Sequence, residues 1–421
     1  MGVFSELQER GVIYQVSSPE LERALDDEKL SIYVGFDPTA DSLTVGNLLQ
    51  IVTMRRLQLY GHRPVFVAGG ATGMIGDPSG RSSERNLLSE DVISYNLACV
   101  SSQLSRYLDF ESSDSSALLV NNSTWFKDMG LLEFLRDVGK SFSVSTMLQR
   151  DSVRSRLGDQ QSLSFTEFSY MLLQAYDFYQ LSLPPYEVRV QFGGSDQWGN
   201  IVAGVDYVRR VSGKTVFGAT TPLVTKSDGT KFGKSAGNAV WLDPKKTTPY
   251  ELYQFFIRSE DEMVGTYLRY FTLLSLEEIR ELEEELKTHP ERRSAHGALA
   301  FEVTAFVHGR EEAIKAQRAS TLLYQGRLDE APKDILMLAL TEAPKIEIAK
   351  ETLAIDPVDL LSKTPLVSSK SEAARTVRQG GFYVNDRKRS EGEAVTDADL
   401  IHDELIVLRR GKKDYCLVRV I

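Results

Sequence analysis

Histidine and cysteine are scarce in this chain, and both shortages narrow its chemistry. The 421 residues include five histidines, at 62, 289, 296, 308 and 402, and two cysteines, Cys99 and Cys416. Two cysteines so far apart build neither a disulfide framework nor a structural zinc cluster, and they read as reduced thiols of a cytosolic protein. Long apolar runs are missing as well. No stretch approaches the roughly 18 residues of a membrane span, and the start, MGVFSELQER, carries charges where a secretion signal has an apolar core. Glu6 stands where N-myristoylation needs Ser or Thr. The expected location is the cytoplasm, with no membrane association.

An overall positive charge is also missing. The net charge is −10, which excludes a bulk nucleic-acid binder. The imbalance is uneven: residues 351–421 hold 12 basic and 12 acidic side chains, so the first 350 residues carry all of it. The tail's positive charges cluster at Arg387-Lys388-Arg389 and at Arg409-Arg410-Gly411-Lys412-Lys413. A basic face on a small module is a place to bind a phosphate backbone.

What is present first is an alternation of strand-like and helix-like segments. Ser31–Phe36, Arg63–Ala68 and Val188–Phe192 read as strands, and Leu48–Tyr60 as a helix stopped by Gly61. Such alternation predicts a parallel sheet with helical crossovers, and ligands of such sheets bind beyond the carboxyl ends of the strands. Glycines at 35, 69–70, 73, 76 and 193–194 follow these strands and are expected along that edge. Residues 249–325 are helix-rich, with LSLEEIRELEEELKTHPERR (274–293) an amphipathic helix. A mixed connector covers 326–352, and a compact module follows. There are no internal repeats and no low-complexity tracts.

Five stretches carry the polar groups that chemistry needs. In Asp37-Pro-Thr39…Thr44-Val-Gly46-Asn47, Gly46 admits a ligand close to the backbone, and the helix that follows offers free N–H groups to a phosphate. Thr39, Thr44 and Asn47 add donors, although capping of that helix uses the same residue types. Lys226-Ser-Asp-Gly-Thr-Lys231-Phe-Gly-Lys234-Ser235 brings three lysines into one glycine-bearing loop, suited either to a polyphosphate or to solvent. Tyr170, Gln174 and Asp177 lie at i, i+4 and i+7, a polar stripe on an otherwise apolar helix. Gly193-Gly194-Ser-Asp196-Gln197 follows a strand, and Asp196 and Gln197 suit a ribose or an amine. Gly69 to Arg85 offers Asp77 at the sheet edge, with Arg81 and Arg85 beyond it.

Taken in order, YVGFDPTADSL, GHRP, GGATGMIGDPSG, FSYMLLQAYDF, GGSDQWGN, DGTKFGKS and the tail closely resemble the bacterial tyrosyl-tRNA synthetases, class I aminoacyl-tRNA synthetases, over nearly the whole chain. The resemblance implies an α/β fold with a Rossmann-type catalytic domain at 1–245, including a dimer-forming insertion around 120–165. It further implies a helical anticodon-side domain at 246–330, a linker at 331–352 and an S4-like RNA-binding domain at 353–421. It implies ATP-dependent activation of L-tyrosine and transfer to the 3′-end of tRNA-Tyr by a homodimer, with Mg2+ accompanying ATP and no organic cofactor or resident metal.

Roles follow from the matching positions. Tyr33 and Asp177 match the pair that reads the substrate phenol, and Asp77, Tyr170 and Gln174 match the cradle of its ammonium, with Gln197 beside them. Gly35, Asp37, Gly46, Asn47, Gly194 and Asp196 match contacts to the adenylate. Thr39 and Thr44 match the grip on pyrophosphate, joined by Lys231, Lys234, Ser235, Arg81 and Arg85. In the tail, VSSKSEAARTVRQGGFYVNDRKR looks S4-like, with Lys370, Arg375, Arg378, Arg409, Arg410 and Lys412 as RNA contacts. The family usually has histidine where this chain has Thr44, and often where it has Asn47. A Thr-x-Gly-Asn motif is familiar in the tryptophanyl enzymes, which leaves tryptophan specificity as an alternative. Further alternatives are a catalytically silent synthetase-like RNA-binding protein and an unrelated nucleotidyl transferase on the same fold. Thr44→His is expected to be tolerated or activating.

Overall fold

The computed structural model describes residues 2–79, 88–111, 114–150, 153–154, 163–230, 232–235, 238–325, 328–411 and 414–421. It divides into two compact units, one of residues 1–248 and 255–307, the other of 249–254 and 308–421.

The first unit is built on six strands: β1 (Gln15–Val16), β2 (Ser31–Phe36), β3 (Arg63–Ala68), β4 (Leu118–Asn121), β5 (Val188–Gly194) and β6 (Phe217–Thr221). Their order is β1-β6-β5-β2-β3-β4, with only β1 antiparallel to its neighbour. The five parallel strands, counted along the chain, thus lie in the order 3-2-1-4-5 of the doubly wound dinucleotide folds. The order reverses between β2 and β5, which opens a crevice at their carboxyl ends.

Both faces of this sheet are covered, as the apolar content of its strands requires. On the face that Tyr33 occupies, Val65, Val67, Val120 and Val188 pack with Phe178 and Leu181 of a helix at Phe165–Ser182. Helix α1 (Val45–Leu59) is buried over most of its surface, enclosing Leu48, Ile51, Val52 and Met54 along with the polar Thr53, Arg56 and Gln58. It begins three residues earlier than the apolar periodicity suggested, because Thr44 is its N-cap. It ends before Gly61, which takes a left-handed φ of 87°. We call Glu90–Leu104 α2, Phe165–Ser182 α3 and Trp198–Ser212 α4. The expected amphipathic helix is Leu276–Thr288, followed by a short 3₁₀ turn at Pro290–Arg292. Gly35, Gly193 and Gly194 lie inside strands rather than in loops after them.

The second unit holds a five-stranded sheet of β9 (Lys345–Ile348), β10 (Phe382–Val384), β11 (Arg387–Lys388), β12 (Leu405–Arg410) and β13 (Asp414–Val420), ordered β11-β10-β12-β13-β9; we number the first unit's short Lys234–Ser235 and Asn238–Ala239 hairpin β7 and β8. Phe382, Val384, Ile406, Leu408, Cys416 and Val418 form its core with Ala373 and Val377 of helix α5 (Lys370–Arg378). The segment read from sequence as a linker, 331–352, contains a helix at Lys333–Ala339 and strand β9, which pairs in parallel with β13 from Leu417↔Lys345 to Val420↔Ile348. Its Pro and its mixed pattern hid a four-residue strand whose partner lies about 70 residues later in the chain.

Candidate active site

Tyr33, Gly35 and Asp37 alternate along β2 and its exit, so they share one face at the switch crevice. Gly35 is exposed between buried neighbours, and a methyl group there would stand 4.0 Å from the Val67 carbonyl with no closer obstacle. A side chain at that position would occupy the slot running from the strand end down to Tyr33.

Tyr33 closes the bottom of the slot. Its ring packs edge-on against Phe178 at 5.3 Å, and its buried hydroxyl has no hydrogen-bond partner among the described residues. Burial, with Asp177 nearby, raises its pKa well above the usual phenol value, so it stays protonated. Asp177 accepts from Trp125 Nε1 at 2.8 Å and from Asn122 Nδ2 at 3.0 Å. Burial raises its pKa to about 7 against the pull of those two donors. A buried hydroxyl without a partner among the described residues, beside a buried carboxylate that burial inclines to hold its proton, calls for a polar partner. A second hydroxyl, able to donate and accept at once, satisfies both.

One network runs upward from there. Asn122 also donates to Thr72 Oγ1 at 3.0 Å, Thr72 donates to Asp37 Oδ1 at 2.8 Å, and Tyr170 donates to Asp37 Oδ2 at 3.0 Å. A second network joins Gln197 Nε2 to Asp77 Oδ2 at 2.5 Å and Asn200 Nδ2 to Gln174 Oε1 at 3.1 Å and Gln197 Oε1 at 3.4 Å. Thus Asp77, Tyr170, Gln174, Asp177 and Gln197, proposed from sequence, do come together. Burial first, then the charges of Asp37, Asp77 and Asp177, raise the Tyr170 pKa well above the phenol range. Three carboxylates around one phenol make a site in which an ammonium ion lowers the electrostatic energy.

Sequence reasoning missed Thr72, Asn122, Trp125, Asn200 and Gln191. Gln191 lies opposite Tyr33 in the β2–β5 register, and its buried Oε1 lacks a partner among the described residues. The run Ala117-Leu-Leu-Val120 followed by Asn121-Asn122-Ser-Thr was the available signal for a strand ending in polar groups at the same sheet edge.

Above the slot lies the start of α1. Asn47 Oδ1 accepts from the Thr44 backbone N–H at 3.0 Å and from the Thr44 hydroxyl at 3.1 Å. Gly46 is exposed at the first turn, and Thr39 is exposed in the preceding turn. At the end of β5, a Cβ on Gly194 would overlap Asp196 Oδ1, so the Asp196 carboxylate lies folded over the strand end. The lysine-bearing loop returns to this place through its backbone. Gly233, at φ 95°, packs against Val45 and Gly46, and Val45 N–H bonds the Val240 carbonyl at 3.0 Å. Phe232 anchors the loop among Phe255, Phe256, Tyr267 and Phe271, with ring centroids 4.7–5.9 Å away. The backbone of Lys234 and Ser235 forms β7, while Arg81, Arg85 and Lys231 lie outside the described residues. No histidine takes over at this end from within the motif. His62, the nearest in sequence, is buried, accepts the Leu30 N–H at 3.2 Å, and has its pKa lowered to about 4 chiefly by burial.

In the second unit the basic residues fall into two groups. Arg409 binds Asp386 at 2.9 Å and stacks 3.9 Å above the Tyr383 ring, while Arg410 binds Glu372 at 2.9 Å and the Leu366 carbonyl. These pairs are largely enclosed and hold the module together. Lys370 and Arg378 make exposed ion pairs with Asp359 and Glu391, of the kind that contributes little stability. Arg375 is exposed on α5 and has no ion pair among the described residues. Lys412 lies outside the described residues.

Comparison with known proteins shows the family. Residues 25–325 match the family model of class I tRNA synthetases (W and Y), and residues 334–418 match that of the tyrosine–tRNA ligase SYY-like C-terminal domain. The chain is 46% identical to a tyrosine–tRNA ligase of Roseiflexus castenholzii over 100% of its own length and 99% of the relative's. It is also 46% identical to one of Opitutus terrae, with 100% of both covered. Among solved structures, a C-terminally truncated mitochondrial tyrosyl-tRNA synthetase of Aspergillus nidulans superposes with a TM-score of 0.69 at 35% identity, covering 76% of this chain and 94% of that one. A strand order that reverses at β2/β5, a phenol-and-carboxylate pocket beneath it and full-length relatives all lead to one assignment: the chain belongs to the class I tRNA synthetases of the tryptophan and tyrosine family.

Proposed function

We propose that the chain activates L-tyrosine with ATP and transfers it to the 3′-end of tRNA-Tyr. The observation that carries this reading is the buried Tyr33 hydroxyl beside Asp177 at the bottom of the slot, two groups that a substrate phenol satisfies together. An indole reaching this point has no hydroxyl to offer, which disfavours tryptophan. The ammonium of the amino acid sits near Asp77, Tyr170 and Gln174, with Gln197 beside it, while Asp177 meets the phenol. Its carboxylate then points to the strand ends.

In the first step a carboxylate oxygen of tyrosine bonds the α-phosphorus of ATP, the bond from that phosphorus to the bridging oxygen breaks, and pyrophosphate leaves. In the second, a hydroxyl of the terminal tRNA ribose attacks the acyl carbon, AMP leaves, and the hydroxyl proton is given up. No enzyme nucleophile takes part. The chain's contribution is placement and charge stabilisation that strengthens toward the transition state. Gly35, Asp37, Gly46, Asn47, Gly194 and Asp196 face the adenylate. Thr39 and the helix start face the departing pyrophosphate; Arg81, Arg85 and Lys231, assigned to the same role by the family resemblance, lie outside the described residues, as do the side chains of Lys234 and Ser235. Mg2+ arrives as the ATP complex.

The second unit binds tRNA through the exposed cations of α5, Lys370, Arg375 and Arg378; Arg409 and Arg410, expected from sequence as RNA contacts, are instead engaged with Asp386 and Glu372 inside the module, and Lys412 lies outside the described residues. The chain works as a cytoplasmic homodimer. Leu131, Leu132, Val144 and Phe165 are 73%, 81%, 60% and 75% exposed in and next to the 120–165 segment, an apolar surface that a second copy would cover. Among the described residues no helix is long and apolar enough to cross a membrane. ATP–pyrophosphate exchange with tyrosine, tryptophan and phenylalanine side by side tests the reading. Exchange with tyrosine alone is the expected result, and exchange with none of the three would overturn it.

A further inference from the structure

We infer that Thr44 does not grip phosphate itself but orients Asn47, whose side-chain amide is the donor this motif presents to the nucleotide. The inference rests on the activation reaction proposed above and assigns a division of labour within its nucleotide site. The direction of one amide decides between the two roles. The Thr44 backbone N–H can only donate, so the Asn47 atom facing it at 3.0 Å must be the carbonyl oxygen. The Thr44 hydroxyl, 3.1 Å from that same oxygen, therefore spends its one proton on it. Two donors on Oδ1 fix the amide plane and its sense. The Nδ2 group then points away from Thr44, and it is neither buried nor bonded to any described residue.

Its surroundings fit a phosphate or ribose oxygen. Asn47 stands in the first turn of α1, where backbone N–H groups and the helix dipole favour negative charge. Gly46 beside it is exposed, and a methyl group there would press on the Thr44 hydroxyl at 3.3 Å. The small residue at 46 thus serves the Thr44–Asn47 pair as well as the ligand. Donating directly to a phosphate would cost the Thr44 hydroxyl its bond to Asn47, and with it the orientation of the better-placed donor.

A double-mutant cycle separates orienting from gripping. Thr44→Val removes the hydroxyl and keeps the shape, Asn47→Ala removes the amide, and Thr44→Ser restores the hydroxyl. The readouts are kcat and the KM values for ATP and tyrosine in pyrophosphate exchange, with Tm as a check on folding. We expect Asn47→Ala to lower kcat/KM for ATP at least tenfold, with the tyrosine KM within twofold. Thr44→Val should cost severalfold in the Asn47 background, Thr44→Ser should recover it, and Thr44→Val should cost nothing further once residue 47 is alanine. An equal cost of Thr44→Val in both backgrounds would overturn the inference, because it would mean that Thr44 touches the nucleotide itself. No effect of Asn47→Ala would overturn it as well. ATP affinity measured by calorimetry should follow the same pattern across these variants in the absence of tyrosine. Absent tyrosine-dependent exchange by the unaltered chain would count against the proposed function and not against this pairing.

Discussion

Tyr170 donates its hydroxyl proton to Asp37 at 3.0 Å, joining α3 to the exit of β2 across 133 residues of sequence. The bond fixes the upper wall of the slot, because Asp37 also receives Thr72 and, through it, the Asn122–Asp177 pair. Tyr170→Phe should therefore loosen the ammonium end without opening the phenol end. We expect the KM for tyrosine to rise by roughly tenfold, the loss of about 1.5 kcal/mol of charge-assisted hydrogen bonding, with Tm nearly unchanged. Steady-state exchange kinetics and a melting curve check both.

Asp177 gives a pH signature. Its folded pKa of about 7 lies above the ordinary 3.8 because burial penalises the charged form. Between those values the folded chain holds a proton that the unfolded chain has lost. Stability from this group therefore falls as pH rises through that window and is level above it. Tyrosine binding should run the other way, since the ionised carboxylate is the stronger acceptor for a phenol. The KM for tyrosine is expected to rise as pH falls from 8 to 6, and Asp177→Asn should flatten the profile. Asp177→Ala should cut the preference for tyrosine over phenylalanine by one to two powers of ten, from a loss of about 1–3 kcal/mol, while the ATP KM stays within twofold. An equal loss in both would sink the assignment.

Gly69 sits where Asp37 and Thr72 converge, and a Cβ there would overlap Asp37 Oδ1 and Thr72 Oγ1. Both side chains are held by other partners and have little room to retreat. Gly69→Ala should lower tyrosine-dependent exchange at least tenfold, with the circular dichroism spectrum unchanged. Wild-type rates would show that the Thr72–Asp37 bond carries nothing in activation.

The two kinds of arginine in the second unit should separate in experiment. Arg375→Ala removes an exposed cation that has no ion pair among the described residues. It should weaken tRNA binding, reduce the salt dependence of that binding by about one unit of slope and leave exchange and Tm alone. Arg409→Ala removes the partner of Asp386 and should destabilise the module by about 1.5–3 kcal/mol. A chain ending at Glu330 should keep pyrophosphate exchange and lose most tRNA charging. Cutting after residue 352 instead strands β9 without β13, and that product is expected to aggregate more readily.

Replacing both Leu131 and Leu132 by Asp adds charge to an exposed apolar pair, 73% and 81% accessible, among the described residues of the 120–165 segment. On the proposed homodimer, sedimentation of this variant should report a monomer at concentrations where the unaltered chain associates. A dimer of undiminished affinity would place the interface elsewhere.

Much of the slot was legible because its residues sit in regular patterns. The Tyr170, Gln174 and Asp177 stripe follows from helix spacing and Asp37 from the turn after a strand-like run, whereas Tyr33 was singled out by the family resemblance alone. Asn122 and Trp125 were not legible, because they follow a four-residue strand and belong to no periodic face. Their role depends on a buried carboxylate that is more than 50 residues away in the chain. The Thr44–Asn47 pair was legible as residues but not as a bond, since capping and phosphate binding ask for the same side chains at the same spacing. Strand β9 escaped for the reason given by its pairing: the contact that makes it a strand is formed with the far end of the unit.

The slot along β2 also works as a ruler. Tyr33 lies three residues below the strand end at Phe36, a depth of about 10 Å at the ordinary rise of a parallel strand. In the proposed binding mode a substrate spans that depth, leaving its carboxylate at the crevice mouth while its far end meets Tyr33 and Asp177. In that mode shorter amino acids reach either the gauge mark or the reaction, but not both. Length is thereby tested together with polarity, by a backbone that no side-chain substitution in the pocket can shorten.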